Sequence, residues 1–354
     1  GVSPANKSIP SKHPLDNKRT FQNTLAKWFG REGKSYPWRE TTDPWSILVS
    51  EIMLQQTQIA TVLGSNKDGS GGHYSRFMAL YPTPRSMAEA SEQEILKAWE
   101  GLGYYRRARN LHAAARAITR EHQGHFPKSF EQIRALPGIG PYTAGAVASF
   151  AYNEPQAIVD ANVSRVFSRL FNFQERIDTT AGNKQIWQWA QELLPDKTPR
   201  IHNSALMELG QSYCSNKSPD CAQCPISQFC QCQDPSTLPL KKSAVKTTRI
   251  DEFAVFVTDS HGRVLLQLQK QGQRREGMWH LPRREHHETL DLALSLKTNY
   301  AITRYQVTLR IYASHPDQTK VNEHETWHSL QQLEDLPMPS PDRRALSSLL
   351  SASI

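Results

Sequence analysis

The stretch Leu136-Pro-Gly-Ile-Gly140-Pro-Tyr-Thr-Ala144 sets two glycines between an apolar helix end and a proline suited to the first turn of a new helix. Glycine lets the backbone turn tightly and approach a ligand closely. The first amides of the following helix then point outward, a geometry that holds a phosphate. A lone Gly-x-Gly also fits an ordinary helix connection, so Gly138 and Gly140 take their meaning from what surrounds them. From about residue 20 to 213 the pattern is helical almost throughout. Ser91 with Glu94 and Ser129 with Gln132 fit capping boxes at helix starts. The interruption from Gly64 to Gly72 has no apolar side chain to bury and is expected to form a flexible surface loop.

Two acids fall in apolar surroundings on either side of this turn. Glu51 lies inside Trp45-Ser-Ile-Leu-Val-Ser-Glu51-Ile-Met-Leu-Gln-Gln-Thr57. Burial raises a carboxyl pKa, so Glu51 would stay protonated near neutral pH and act as an acid, unless it sits on the helix rim and reaches solvent. Asp160, in Ala157-Ile-Val-Asp160-Ala-Asn162-Val-Ser-Arg165, stands at the mouth of a helix, where an Asp also serves simply as an N-cap.

All five cysteines crowd into one short stretch, with the spacing Cys214-x6-Cys221-x2-Cys224-x5-Cys230 and a fifth thiol at Cys232. A disulfide framework would spread them through the chain. Four thiolates so placed suit an iron-sulfur cluster or a four-cysteine zinc site. The 354 residues predict two domains, and 38% hydrophobic with 21% charged residues is enough apolar side chain for real cores. A formal charge of +8 favours a polyanionic partner, nucleic acid first. No run of 18 or more apolar residues occurs, and the first fifteen positions are polar, so neither a membrane span nor a secretory signal is expected.

Residues 1–18 read as a loose N-terminal arm and about 233–249, with Lys241-Lys242-Ser-Ala-Val-Lys246, as a basic linker. Beyond it the period changes to that of strands. Phe253–Val257, a turn at Asp259–Gly262 and Val264–Leu266 read as a β-hairpin, and Thr308–Tyr312 as a half-buried strand. His324-Glu-Thr-Trp-His328 spells a zinc motif that needs a helix, whereas the pattern here is loop or strand. His286-His287 reads as a solvated turn.

Together, Leu136–Ala144, Asp160 and the cysteine spacing resemble the iron-sulfur branch of the helix-hairpin-helix DNA glycosylases. Val49–Thr57 and Trp99-Glu-Gly-Leu-Gly-Tyr-Tyr105 resemble its adenine DNA glycosylases of the MutY type, and the likeness spans about 20–345. Endonuclease III-like members carry a hairpin lysine that attacks the sugar; the matching position here is Tyr142, so no Schiff-base route is expected. The resemblance implies a monofunctional glycosylase that removes adenine opposite 8-oxoguanine or guanine from double-stranded DNA. Glu51 would protonate adenine N7, Asp160 would stabilise the positive sugar or bond to it transiently, Tyr142 would hold the acids, and Asn162 would orient the site. Gln56 and Tyr104 would fill or wedge the base stack, although Tyr104 and Tyr105 also suit core packing at a helix start. Trp38 and Arg39 would lie near the adenine pocket, an exposed Arg39 needing no special role. A [4Fe-4S] cluster would sit on Cys214, Cys221, Cys224 and Cys230, with Cys232 left over and Lys217 in the loop facing the phosphate backbone.

The resemblance extends to a C-terminal Nudix-like module that reads 8-oxoguanine, on Gly277-Met-Trp-His-Leu-Pro282, Trp327-His-Ser-Leu330 and Leu336–Pro341. The carboxylate set of a hydrolysing Nudix enzyme is missing, so no pyrophosphatase activity is expected. Where an aromatic-Ser/Thr-His triplet usually contacts the oxidised base, this chain has Ile302-Thr303-Arg304 and keeps only the hydroxyl of Thr303. The expected fold is therefore multi-domain: an all-α helix-hairpin-helix domain over 19–232 with an iron-sulfur loop at 214–230, then an α+β domain over 250–354. A monomer is expected, in a bacterial cytoplasm with the nucleoid, or in a nucleus if eukaryotic. Two rivals are an endonuclease III-like glycosylase and lyase, and a non-catalytic iron-sulfur protein that binds DNA or senses redox state.

Overall fold

In the computed structural model, which describes residues 12–243, 247–270 and 275–352, several helices begin where a side chain caps them. Residues 1–11 of the expected arm and 244–246 of the expected linker lie outside that description. Ser91 and Glu94 form the full reciprocal box, while Ser129 accepts from the Gln132 amide without the return bond. Asp43 caps the helix Pro44–Leu54 and Thr179 the helix Thr180–Leu193. Each such cap is worth about 1 kcal/mol.

Backbone contacts divide the chain into two units, Gly1–Arg85 with Ala113–Ser243, and Ser86–His112 with Ala244–Ile354. The first unit is helical. Phe21, Leu25 and Trp28 of the helix Lys18–Glu32 meet Val163, Phe167 and Leu170 of the helix Ala161–Leu170 and Leu206 and Leu209 of the helix Pro199–Ser212. The helices Pro44–Leu54 and Pro141–Tyr152 pack against each other. Both are apolar on nearly every side, which is why both are buried almost along their whole length. The stretch from Gly64 to Gly72 is a mostly exposed turn, as expected, and it carries bonds of its own. Asn66 Nδ2 donates to the Ser70 carbonyl at 2.9 Å, Asp68 accepts from the Ser70 amide, and Gly69 is buried. The turn satisfies its own backbone and needs no apolar side chain.

The second unit carries seven strands: β1 (Thr248–Val257), β2 (Val264–Leu268), β3 (Trp279–His280), β4 (Arg283–Arg284), β5 (Ala293–Ile302), β6 (Tyr305–Ser314) and β7 (Glu325–His328). One sheet has the order β4-β1-β6-β5, the other β3-β2-β7. The hairpin expected between β1 and β2 is absent, because β1 runs parallel to β6 over its full length and meets β4 on its other edge. Both edges of β1 being occupied, β2 joins the second sheet, and only the bridge Thr258–Val264 remains at the turn. β6 alternates in burial as its sequence predicts. The helix Ser340–Ala352 packs on β5 and adds Ala345, Leu346 and Leu349 to a core built from Ala254, Leu266, Leu281, Val307, Leu309 and Ile311. Ser86–His112 groups with this unit, and within it Arg343 donates to the Glu100 carboxylate at 2.9 Å.

The His-Glu-x2-His stretch falls on β7, so its imidazoles share no helical face. Its buried Glu325 receives both Nη1 and Nη2 of Arg284, at 2.6 and 2.8 Å. His286 is not merely solvated, since its ring stacks on Phe253 at 4.5 Å. Among the described residues, no helix is long and apolar enough to cross a membrane.

Candidate active site

Three elements of the first unit converge. Glu51 lies in the helix Pro44–Leu54, Tyr142 at the second position of the helix Pro141–Tyr152, and Asp160 at the N-cap of the helix Ala161–Leu170. The hairpin that starts the second of these turns at Gly138, whose φ of +72° suits glycine. Leu136 and Ile139 anchor it in the core while Gly138 and Gly140 stay exposed, which leaves their amides open to a phosphate. Asp160 ends an extended segment that can lie close against Pro141–Tyr152 because residue 145 is glycine. A Cβ there would sit 3.1 Å from the Ala157 carbonyl oxygen. Gln55 Nε2 donates to Thr143 Oγ1 at 2.9 Å and ties the first two helices together beside the acids.

Glu51 is only 5% exposed, and the Tyr142 hydroxyl donates to its Oε2 at 3.2 Å. Burial pushes the Glu51 pKa up to about 7; the Tyr142 bond opposes this, the Asp160 charge adds to it, and the Arg39 charge opposes it. Asp160 is also raised by burial, but is held back by bonds from the Val163 amide and the Asn162 side chain and by the Arg165 charge. Its Oδ1 accepts from the Val163 amide at 2.7 Å, so it is at once a cap and a member of the acid pair. Asn162 in turn accepts from Arg165 Nη2 at 3.0 Å. The Tyr142 hydroxyl is driven well above its ordinary range by burial and then by both acids. Two carboxyls with unequal surroundings and one phenol thus lie within electrostatic reach of one another, an arrangement able to donate a proton and stabilise a cation together.

Arg39 is not the free surface residue that its sequence context permits. Its Nη1 donates to the Lys34 carbonyl at 2.8 Å and to Glu208 Oε1 at 2.9 Å, and its guanidinium lies over the Tyr36 ring, which stacks on Trp38. Glu208 is 2% exposed and was not singled out from sequence. The available signal was the one that marks Glu51, an acid among apolar neighbours, here Met207-Glu208-Leu209.

Three other candidates share a backbone state. Gln56, Tyr104 and Thr303 have φ of +60°, +47° and +50°, a left-handed conformation that costs a non-glycine residue about 1 kcal/mol or more. Gln56 is exposed just beyond its helix. Tyr104 is 49% exposed, whereas its neighbour Tyr105 is buried, so core packing describes Tyr105 alone. Thr303 occupies the two-residue turn between β5 and β6.

The thiols of Cys214, Cys224 and Cys230 are half-buried against the helical core, and Cys221 is exposed. Arg169 organises the loop, donating to Cys214 Sγ at 3.4 Å and to the carbonyls of Ser215 and Asn216 at 2.6 and 3.0 Å. Arg165 Nε adds a bond to the Cys214 carbonyl at 2.8 Å. Burial pushes the Cys224 thiol up to about 12, with smaller contributions from the charges of Cys214, Cys230 and Cys221, so the four lie within electrostatic reach of one another. Cys232 is buried beside Cys230. Among the described residues, no three His, Cys, Asp or Glu side chains gather closely enough to hold a metal ion. Three thiols on the apolar core and an exposed fourth, with Arg165 and Arg169 bonded at Cys214, form a set of soft ligands of the chemical type that iron-sulfur centres use.

A family model described as HhH-GPD superfamily base excision DNA repair protein matches residues 49–192. The adenine DNA glycosylase of Mycobacterium tuberculosis is 41% identical over 221 residues, covering 62% of this chain and 69% of that protein. The human adenine DNA glycosylase is 37% identical over 220 residues, 60% of this chain and 39% of that protein. This chain spans about two fifths of the length of the human and mouse relatives, at 39% and 41%. Among solved structures, a thermostable thymine-DNA glycosylase is 29% identical with a TM-score of 0.55, covering 62% of this chain and 97% of that one. A non-covalent endonuclease III–DNA complex shares the fold at a TM-score of 0.50 and 23% identity, covering 61% of this chain and 95% of that one. The chain belongs to the adenine DNA glycosylase family.

Proposed function

We propose that this chain is a monofunctional DNA glycosylase that hydrolyses the N-glycosidic bond of adenine opposite 8-oxoguanine or guanine in double-stranded DNA. The observation that carries the reading is the buried Glu51 carboxyl, bonded by Tyr142 and within reach of the Asp160 charge. Adenine leaves poorly as an anion. With a pKa near 7, Glu51 holds a proton at neutral pH and gives it to N7 as the bond to C1′ breaks and its electron pair passes to the purine. Asp160, ionised, faces the positive charge that develops on the sugar, a division of labour like that of two-carboxylate glycosidases. Water then adds at C1′, passing its proton to the now ionised Glu51, and leaves an abasic site. Tyr142 holds Glu51 in place, and Asn162 with Arg165 keeps Asp160 aligned and charged.

None of these groups reaches a base inside a duplex, so the adenine everts into the site. Gln56 and Tyr104 fill the gap in the stack, which offsets part of an unstacking cost of about a few kcal/mol. The amides after Gly138 and Gly140 hold backbone phosphate, and Arg39 with Trp38 lines the adenine pocket. The C-terminal unit acts as the Nudix-like reader of the oxidised guanine, with Thr303 at the contact. Cys214, Cys221, Cys224 and Cys230 hold a [4Fe-4S] cluster, which when bound would brace the loop bearing Lys217 and supply no step of the hydrolysis. The working domains are 19–232 and 250–354, and the protein acts as a monomer away from membranes, with the nucleoid or in the nucleus. The test is single-turnover adenine release from duplexes that differ only in the opposing base. Release that is faster opposite 8-oxoguanine than opposite thymine and lost in Glu51→Gln is expected; unchanged release by Glu51→Gln overturns the reading. A covalent adduct trapped by borohydride would point instead to a lyase.

A further inference from the structure

The second unit includes a segment from early in the chain, Ser86–His112, and Tyr104 lies within it. Tyr104 is 49% exposed and stands in a turn whose backbone is left-handed at Gly101, Gly103 and Tyr104, with φ of +99°, +70° and +47°. A non-glycine residue keeps that conformation only where its surroundings fix it. Part of the fixing is local. Trp99 Nε1 donates to the Gly103 carbonyl at 3.1 Å, and Arg107 Nη2 donates to the Leu102 carbonyl at 3.2 Å, while the Arg107 guanidinium lies 5.7 Å from the centre of the Tyr104 ring.

The rest comes from the far end of the chain. Glu100 Oε1, at the start of the turn, accepts from Arg343 Nη2 at 2.9 Å, from Arg343 Nε at 3.1 Å and from the Met338 amide at 3.2 Å. Arg343 also donates to the carbonyls of Leu333 and Leu336, both at 2.5 Å, so one guanidinium joins the turn to the helix Ser340–Ala352 and to the segment before it. The two side chains are 23% and 19% exposed, a setting in which a charge-assisted bond is stronger than at an open surface. Close packing accompanies the pair. A Cβ on Gly277 would lie 3.3 Å from Leu96 Cδ1 and 3.4 Å from Arg109 Nη2. Burial raises the Tyr105 hydroxyl above its ordinary range, and the charges of Glu100, Arg275, Asp342 and Arg343 all act on it. Tyr105 is thus buried among C-terminal charges, while its neighbour Tyr104 faces solvent.

We propose, resting on the reading of Tyr104 as a wedge in the base stack, that Glu100 and Arg343 are positioning residues for it. The side chain that fills the gap left by the everted adenine is then set from the C-terminal helix, not from the elements that carry Glu51 and Asp160. A duplex carrying 2-aminopurine in place of the adenine, opposite 8-oxoguanine, tests this, because that base fluoresces more strongly once unstacked and no bond need break. With the full chain at saturation the fluorescence is expected to rise, and Tyr104→Ala, Arg343→Leu and Glu100→Leu are each expected to cut the rise by about half or more. Glu100→Gln keeps an oxygen for all three donors and is expected to retain most of the rise. Residues that act through Tyr104 add nothing once it is gone, so Arg343→Leu combined with Tyr104→Ala is expected to match Tyr104→Ala alone. If Arg343→Leu fails to fold, Glu100→Leu and its combination with Tyr104→Ala decide. A full rise in Arg343→Leu and Glu100→Leu beside a loss in Tyr104→Ala overturns the proposal, as do losses that add in the double variant. A full rise in Tyr104→Ala, or none with the unaltered chain, overturns the wedge reading itself and the proposal with it. Neither outcome depends on Glu51 or Asp160, so failure of the acid pair leaves the test intact.

Discussion

The Tyr142 hydroxyl donates to Glu51 across 91 residues of sequence, bridging two helices that bury almost every side chain they carry. The bond stabilises the charged form of Glu51, against burial, which stabilises the neutral one. Tyr142→Phe keeps the ring and removes that opposition. The Glu51 pKa then rises further above 7, and the alkaline limb of a single-turnover pH–rate profile is expected to move to higher pH. An alkaline limb that stays in place or falls would show that Glu51 is not the group that titrates there.

Burial of Glu51 also has a cost in stability. Its pKa is about 7 in the folded chain against an ordinary 4.5. Between those two values the folded state holds a proton that the unfolded state has lost, so stability falls as pH rises through the window. Above it the loss amounts to at most about 3 kcal/mol. Glu51→Gln removes the titrating group. Urea unfolding at pH 5 and pH 8 is expected to show a smaller drop between the two in Glu51→Gln than in the unaltered chain, together with loss of adenine release.

How much of this was legible depended on the range of the signal. Pro141 at a first turn, the Ser91–Glu94 box and the alternation of β6 are local patterns, and each appears where the sequence puts it. Glu51 in an apolar helix is local too, and its burial follows from the residues around it. Strand pairing is not local. Val264–Leu266 reads as the return arm of a hairpin until the ten-residue parallel register between β1 and β6 fills the neighbouring edge. The Arg39–Glu208 pair was hidden for the same reason, since its partners are 169 residues apart. The left-handed backbone of Gln56, Tyr104 and Thr303 leaves no trace in residue type, because none is glycine or asparagine.

Arg169 holds the cysteine loop and the segment after it through six bonded atoms: Cys214 Sγ and the carbonyls of Cys214, Ser215, Asn216, Pro235 and Leu238. Arg169→Leu leaves those carbonyls without their donor and the loop without its anchor. Iron per chain is expected to fall by about half or more after purification, as it would in Cys224→Ser, whereas Cys232→Ser is expected to retain its iron. Full iron in Cys224→Ser, or its loss in Cys232→Ser, would reassign the ligand set.

On the proposed mechanism Asp160 has two roles that substitution can pull apart. As the N-cap of Ala161–Leu170 it needs only an oxygen to accept from the Val163 amide, and asparagine supplies one. As the group facing a positive sugar it needs a charge, which asparagine lacks. Asp160→Asn is therefore expected to hold its stability within about 1 kcal/mol while adenine release falls by about two orders of magnitude or more. Asp160→Ala loses both, with a further stability cost of about 1 kcal/mol that denaturant midpoints will register. If Asp160→Asn retains full activity and only Asp160→Ala is impaired, the side chain is a cap alone, and the cation must be met by another group.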